Sequence, residues 1–167
     1  MRVYLLGAGF NLSLGRFEGR PPFLINNFFQ AALTNDLFRQ KKALKTGAAV
    51  FDYIKDYWKL EISDLQRQPF DLEQCYTMLQ LQEESLPATD EEERQRIFNL
   101  RVDLTRLLAA YLDDMDGGHL PPPLINDFAK EVRAQDAQVI TFNYDVNVER
   151  AFQRLDGLSP RWLLFCV

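Results

Sequence analysis

The chain has 167 residues, 47% of them apolar and 26% charged, with a net charge of −5. That is enough mass for one domain with a real core, and with no clustered Lys/Arg stripe a nucleic-acid footprint is excluded. No apolar run approaches the roughly 20 residues of a membrane span, and the short run after Arg2 is broken by glycines and Asn11, which rejects a signal peptide.

Taken in order, the chain opens on Val3-Tyr4-Leu5-Leu6, a β-favouring apolar run that feeds into Gly7-Ala8-Gly9-Phe10-Asn11. Strand, glycine turn and helix start together make the form of a phosphate-cradling edge. Glycine lets a ligand approach the main chain, and the free N–H groups of a following helix face an anion. Gly15 to Pro22 is a turn region carrying Arg16 and Arg20, read as exposed. Leu24, Ile25, Phe28, Phe29, Ala32, Leu33, Leu37 and Phe38 recur at three- and four-residue spacing and predict a helix from Phe23. Lys41, Lys42 and Lys45 read as a solvated helix face. A second helix is expected over Ala48 to Leu60, its aromatics serving as core.

Pro69 breaks the pattern, and Asp71 with Gln74 predicts a capping box for the next helix. Glu83 to Glu93 is acidic, carries Pro87 and reads as a surface loop. Asp90 and Glu93 form a second cap pair for the longest helix, which runs through Tyr111 to Met115 and ends at Asp116-Gly117-Gly118-His119. Pro121 to Pro123 leads into a shorter helix through Val132. The second strand is Gln138-Val139-Ile140-Thr141-Phe142, ending in Asn143-Tyr144-Asp145, and a helix covers Val146 to Leu155. Arg161 to Val167 is a final strand-like apolar run.

Cys75 and Cys166 form no CxxC pair, which excludes a zinc ribbon, and no metal site is expected. They read as free thiols suited to a reducing cytoplasm. The fold expected is α/β: a partial, Rossmann-like parallel sheet with a large all-helical insertion at about residues 23–135, in a single domain over 1–167. Two strands far apart in sequence, each ending in polar residues, read as parallel neighbours. Ligands in such sheets bind at the carboxyl ends of the strands, which puts Gly7-Ala8-Gly9 and Asn143/Asp145 on one rim.

The dehydrogenase fingerprint fails, because Leu12 stands at the third glycine position and no acidic residue follows at the right distance. A Walker loop fails too, since no Gly-Lys-Ser/Thr follows. Gly7-Ala8-Gly9-Phe10-Asn11 taken with Thr141-Phe142-Asn143-Tyr144-Asp145 instead resembles the sirtuin-like family, whose prokaryotic branch often adds an acidic residue shortly after, here Glu149. The Asp71-Leu72-Glu73 helix opening and the zinc-free helical middle are similar to that branch as well.

The resemblance implies an NAD+ pocket between the sheet and the helical part. Cofactor-binding residues would be Gly7, Ala8, Gly9, Phe10, Asn11, Thr141, Asn143 and Asp145, with the glycine turn on the diphosphate. Asn143 and Asp145 would carry catalysis: Asn143 at the nicotinamide ribose or placing a water, Asp145 at the nicotinamide amide or bracing the loop. Cleaving the nicotinamide–ribose bond builds oxocarbenium-like charge, which a placed nucleophile and a carboxylate stabilise. The competing reading is that Asn143 and Asp145 only cap the helix near Val146. Three departures stand beside the likeness. Asn11 replaces the family's Ser/Thr, and the Gly-Ile-Pro-Asp-Phe-Arg segment is absent. The family's general-base histidine follows the Asn-x-Asp segment, whereas the only histidine here, His119, precedes it.

The expectation is therefore a sirtuin-like NAD+-binding domain, incomplete at its C-terminus, binding NAD+ or ADP-ribose. Its prokaryotic relatives commonly hydrolyse NAD+, often in antiphage defence. The alternative is a catalytically inactive, truncated module with a structural role, as a homo-oligomer or with a partner protein, using Trp162 to Val167 as an exposed strand. A third reading is an unrelated helical domain in which Gly-Ala-Gly is only a turn; it turns on whether the two strands are adjacent and parallel. No nucleic-acid or membrane partner is expected.

Overall fold

A computed structural model describes residues 2–7, 10, 25–35, 38–116, 123–141 and 147–156. It divides into two compact units, one from Met1–Pro22 with Asp116–Val167, the other Phe23–Met115.

The first unit holds the sheet. β1 (Val3–Leu6) and β2 (Gln138–Thr141) pair in parallel, with Val3 opposite Gln138 and Leu6 opposite Thr141. Neighbouring parallel strands so distant in sequence are the arrangement expected from their polar ends. Side chains alternate across a strand, and Leu6 and Val139 point into a core with Ile125, Ala129, Val132, Val148, Ala151 and Phe152. Val3 and Leu5 face the other way and are 46% and 69% exposed. The covering helices are Pro123–Ala134 and Asn147–Asp156; the Arg133 guanidinium ties them by donating to the Leu155 carbonyl at 3.1 Å.

The turn into β2 is fixed locally. Asp136 takes a left-handed φ of 48°. Its N–H donates to the Arg133 carbonyl at 3.1 Å, and the Ala137 N–H donates to the Val132 carbonyl at 3.0 Å. This is the Schellman pair of bonds that closes a helix, with Asp where glycine is usual. The helix Pro123–Ala134, counted above with the helical insertion, thus packs on the sheet, and the compact helical unit stops at Met115.

In the helical unit we number α1 (Phe28–Thr34), α2 (Leu44–Thr46, continuing a π-helical stretch Arg39–Ala43), α3 (Ala48–Trp58), α4 (Ile62–Arg67), α5 (Leu72–Ser85) and α6 (Glu91–Asp116). The helices covering the sheet are α7 (Pro123–Ala134) and α8 (Asn147–Asp156). In α6 the buried residues Ile97, Leu100, Leu104, Leu107 and Tyr111 repeat at three- and four-residue steps, one stripe of a helix facing a core. Phe28 and Phe38 both meet the Tyr111 ring edge-on, with centroids 5.7 and 5.1 Å away.

Several local expectations shift. The helix expected from Phe23 to Phe38 is interrupted after Thr34, where Asn35 is extended (ψ 98°). The Asn35 Oδ1 accepts the Phe38 N–H at 3.3 Å, the local competition with helix that Asn side chains offer. α3 ends at Trp58, because Lys59 takes a left-handed φ of 59°. α4 was not anticipated; Glu61 and Asp64 form its capping box. Asp71 caps α5, its carboxylate accepting the Glu73 N–H at 2.8 Å and the Gln74 N–H at 3.4 Å. The loop around Pro87 is present but shorter than expected, residues 86–90, since α5 runs to Ser85 and α6 starts at Glu91. The Glu93 N–H does bond Asp90, at 3.4 Å. Lys42 pairs with Asp113 at 3.6 Å on an exposed surface.

Candidate functional site

The candidate site is the edge of the sheet where β1 and β2 end. Leu6 is the register partner of Thr141, so both described strands end at this edge. Gly7 is exposed, and a Cβ built there would meet nothing within 4 Å. Its φ lies outside the left-handed region. Packing among the described residues therefore does not require glycine here.

Phe10 closes the turn. Its N–H donates to the Gly7 carbonyl at 2.8 Å, and its ring packs 5.3 Å from Phe128 of α7. Tyr4 meets the same Phe128 edge-on at 5.4 Å. Phe10 is thus partly buried against the core of the sheet unit. Thr141 is buried at the end of β2. Ala8, Gly9, Asn11, Asn143 and Asp145 lie outside the described residues, as do Arg16, Arg20, His119, Cys166 and the run from Arg161 to Val167.

Glu149 is the acidic residue that follows the Thr141–Asp145 motif. It is a buried carboxylate, 8% exposed, in the first turn of α8, where the helix dipole favours an anion. The signal available in sequence was an acid early in an amphipathic helix. What sequence could not give was its burial.

At the opposite end of the strands a polar latch holds the sheet to α7. The Arg2 guanidinium and the Tyr4 hydroxyl both donate to the Gln135 Oε1, at 2.6 and 2.9 Å, and the Gln135 amide bonds Glu131. These bonds lie at the end of the strands away from Gly7.

Among the described residues, no group of His, Cys, Asp and Glu is arranged to hold a metal ion, and no helix is long and apolar enough to cross a membrane. In comparisons with protein-family models, curated proteins and solved structures, nothing matches the chain.

Proposed function

We propose that the chain is a sirtuin-like NAD+-binding module whose dinucleotide lies across the ends of β1 and β2. One observation carries the reading: the two motif-bearing strands are neighbours, parallel and in register from Val3/Gln138 to Leu6/Thr141. An unrelated helical domain with an incidental glycine turn has no reason to bring these two segments to one rim.

In this reading the backbone at Gly7, Ala8 and Gly9 holds the diphosphate. Among the described residues a Cβ at Gly7 would meet nothing within 4 Å, which suits a group that must approach the main chain closely. Asn143 contacts the nicotinamide ribose or places a water, and Asp145 holds the nicotinamide amide or braces its loop. Phe10 positions the turn through Phe128, and Glu149 adds negative potential one turn into the helix after the Asn143–Asp145 segment. The reaction proposed is hydrolysis of the nicotinamide–ribose bond, with the developing positive charge on the sugar stabilised by a preorganised carboxylate. Cytoplasmic residence and a role in antiphage defence belong to the same proposal.

Incubation of the protein with NAD+ and chromatography of the products tests it. Free nicotinamide and ADP-ribose are expected, and their loss in Asn143→Ala and Asp145→Ala. NAD+ binding without turnover would remove the enzyme and keep the module; neither binding nor turnover would remove both.

A second reading is a non-enzymatic module that associates through its sheet. It is favoured by the exposed Val3 and Leu5, since parallel sheets ordinarily have both faces covered. A sedimentation profile that is monomeric at all concentrations counts against it.

A further inference from the structure

One aromatic ring of α3 stays out of the core. Tyr57 is 48% exposed, yet it is held on two sides. Its ring stacks with Tyr53, centroids 5.9 Å apart and planes 21° from parallel, and Trp58 meets it edge-on at 4.6 Å. Tyr53 is fixed in turn, its hydroxyl donating to Gln82 of α5 at 2.9 Å. A half-exposed ring braced in this way is a preformed platform, with little freedom left to lose when a ligand lies on it. The platform borders a groove of about 610 Å³ between α3, α5 and α6, within the size range of small-ligand sites. Buried Tyr53, Ile97 and Leu100 line it at depth.

The charges around this groove already have partners. The Arg96 guanidinium donates from Nε and Nη2 to both oxygens of Glu93 at 2.7 and 2.6 Å. Asp103 accepts from Arg106 at 3.2 Å. Lys55 interacts electrostatically with Asp52 and Asp56, and Arg96 with Asp56. An ionic ligand would have to displace these partners, whereas a neutral one leaves them in place. What the rim still offers is hydrogen bonding. A carboxylate has about four lone-pair sites, so Asp52 and Asp56 can accept bonds from a neutral donor while keeping their electrostatic neighbours. The Gln82 and Asn99 side chains, also in the lining, bring amide donors and acceptors.

We propose that this groove binds a neutral oligosaccharide, with one pyranose ring lying on Tyr57 and its hydroxyls bonded to Asp52, Asp56 and Asn99. A pyranose has a face of C–H groups and a rim of hydroxyls, each with one donor and two acceptor pairs. The braced aromatic ring takes the apolar face, and the carboxylates and amides take the hydroxyls. A groove of this volume has room for more than one sugar unit. None of these residues belongs to the strand-end site, so the occupant is independent of NAD+, and so is the test.

The experiment is titration calorimetry of the full chain with a panel of neutral trisaccharides built from glucose, galactose, mannose or N-acetylglucosamine. At least one member is expected to bind saturably and one-to-one, with a Kd of about 0.1–1 mM. Because the ligand carries no charge, its affinity should change less than about twofold between about 20 and 500 mM salt. Tyr57→Ala should weaken binding about tenfold, whereas Tyr57→Phe, which keeps the ring, should stay within about twofold of the parent. Asn99→Ala, on the opposite wall, should weaken it about fivefold. Circular dichroism checks that each variant folds. Glu73→Gln, an exposed acid on α5 outside the groove, is expected to bind as the parent does. Flat titrations across the whole panel overturn the proposal, as does binding indifferent to both Tyr57→Ala and Asn99→Ala. So does binding that falls about tenfold or more over the same salt range, which would assign the groove to a charged ligand.

Discussion

Replacing Gly47 by alanine separates packing from propensity in the helical unit. Gly47 joins α2 to α3 with φ −95° and ψ 4°, a conformation open to any residue. On backbone grounds alone the change stabilises by about 0.4–1 kcal/mol, through the unfolded chain. The surroundings reverse the sign. A Cβ at Gly47 would lie 2.8 Å from Cε2 of Phe51, 3.0 Å from the Ala43 carbonyl oxygen and 3.0 Å from Cδ2 of Leu107. Phe51 is 5% exposed, and Ala43 and Leu107 are fully buried. The nearest backbone atom belongs to the carbonyl that accepts the Gly47 N–H at 2.8 Å, so it cannot retreat without stretching that bond. Overpacking of this kind costs about 1–3 kcal/mol, which leaves a net loss of about 1.3 kcal/mol at mid-range, within limits of about 0–2.6 kcal/mol, once the unfolded-state gain is subtracted. Urea denaturation reads it as a midpoint lowered by about 0.5–1 M at the usual slopes. Phe51→Leu removes the closest clash, so the double variant should lose less than the sum of the two single changes. Gly47→Ala as stable as the parent would refute the packing described around the α2–α3 junction.

The remaining predictions address other layers of the fold. Gly7→Ala should leave stability within about 0.5 kcal/mol of the parent, as expected of a surface change, because its Cβ meets nothing; yet it should weaken NAD+ binding, and calorimetry with denaturation on one sample separates the two effects. Leu104→Ala, at a residue 1% exposed on the α6 stripe, should cost about 2–5 kcal/mol in a urea titration. Asp71→Ala should cost about 1 kcal/mol through the lost α5 cap. Burial pushes the Cys75 thiol up from 9.0 to about 12. The folded state thus favours the neutral thiol, and its contribution is complete below pH 9 and is lost as pH rises from there towards 12. Urea midpoints at pH 8 and 10.5 should fall less steeply in Cys75→Ala, and Cys75 should resist thiol reagents until the protein unfolds.

How much of this was legible in the sequence depended on whether the deciding contact was local. β1 and β2 could be read because short β-favouring runs end in glycine or Asn-Tyr-Asp, and their parallel pairing followed from which ends are polar. The α6 stripe was legible because Ile97 to Tyr111 repeat the helical period over four turns. The stop at Asn35 was not, because one side-chain bond to the Phe38 N–H competes with an apolar pattern that continues through it. The left-handed Lys59 and Asp136 also gave no signal, since neither is the glycine such positions favour. Apolar spacing told that α7 buries Ile125, Ala129 and Val132 but not against what, and so its place on the sheet emerged only in three dimensions. At the strand ends, the sequence supplied the residue types; the contact of Phe10 with Phe128 and the burial of Glu149 are packing facts that no spacing encodes.

The central claim is that the ends of β1 and β2 form one dinucleotide-binding rim. Isothermal titration of the full chain with NAD+ and with ADP-ribose tests it most directly. Saturable one-to-one binding of both ligands, weakened at least about tenfold, or 1.4 kcal/mol, in Gly7→Ala and in Asn143→Ala with folding intact, is the predicted result. Flat titrations with both ligands, or binding indifferent to both substitutions, would contradict it.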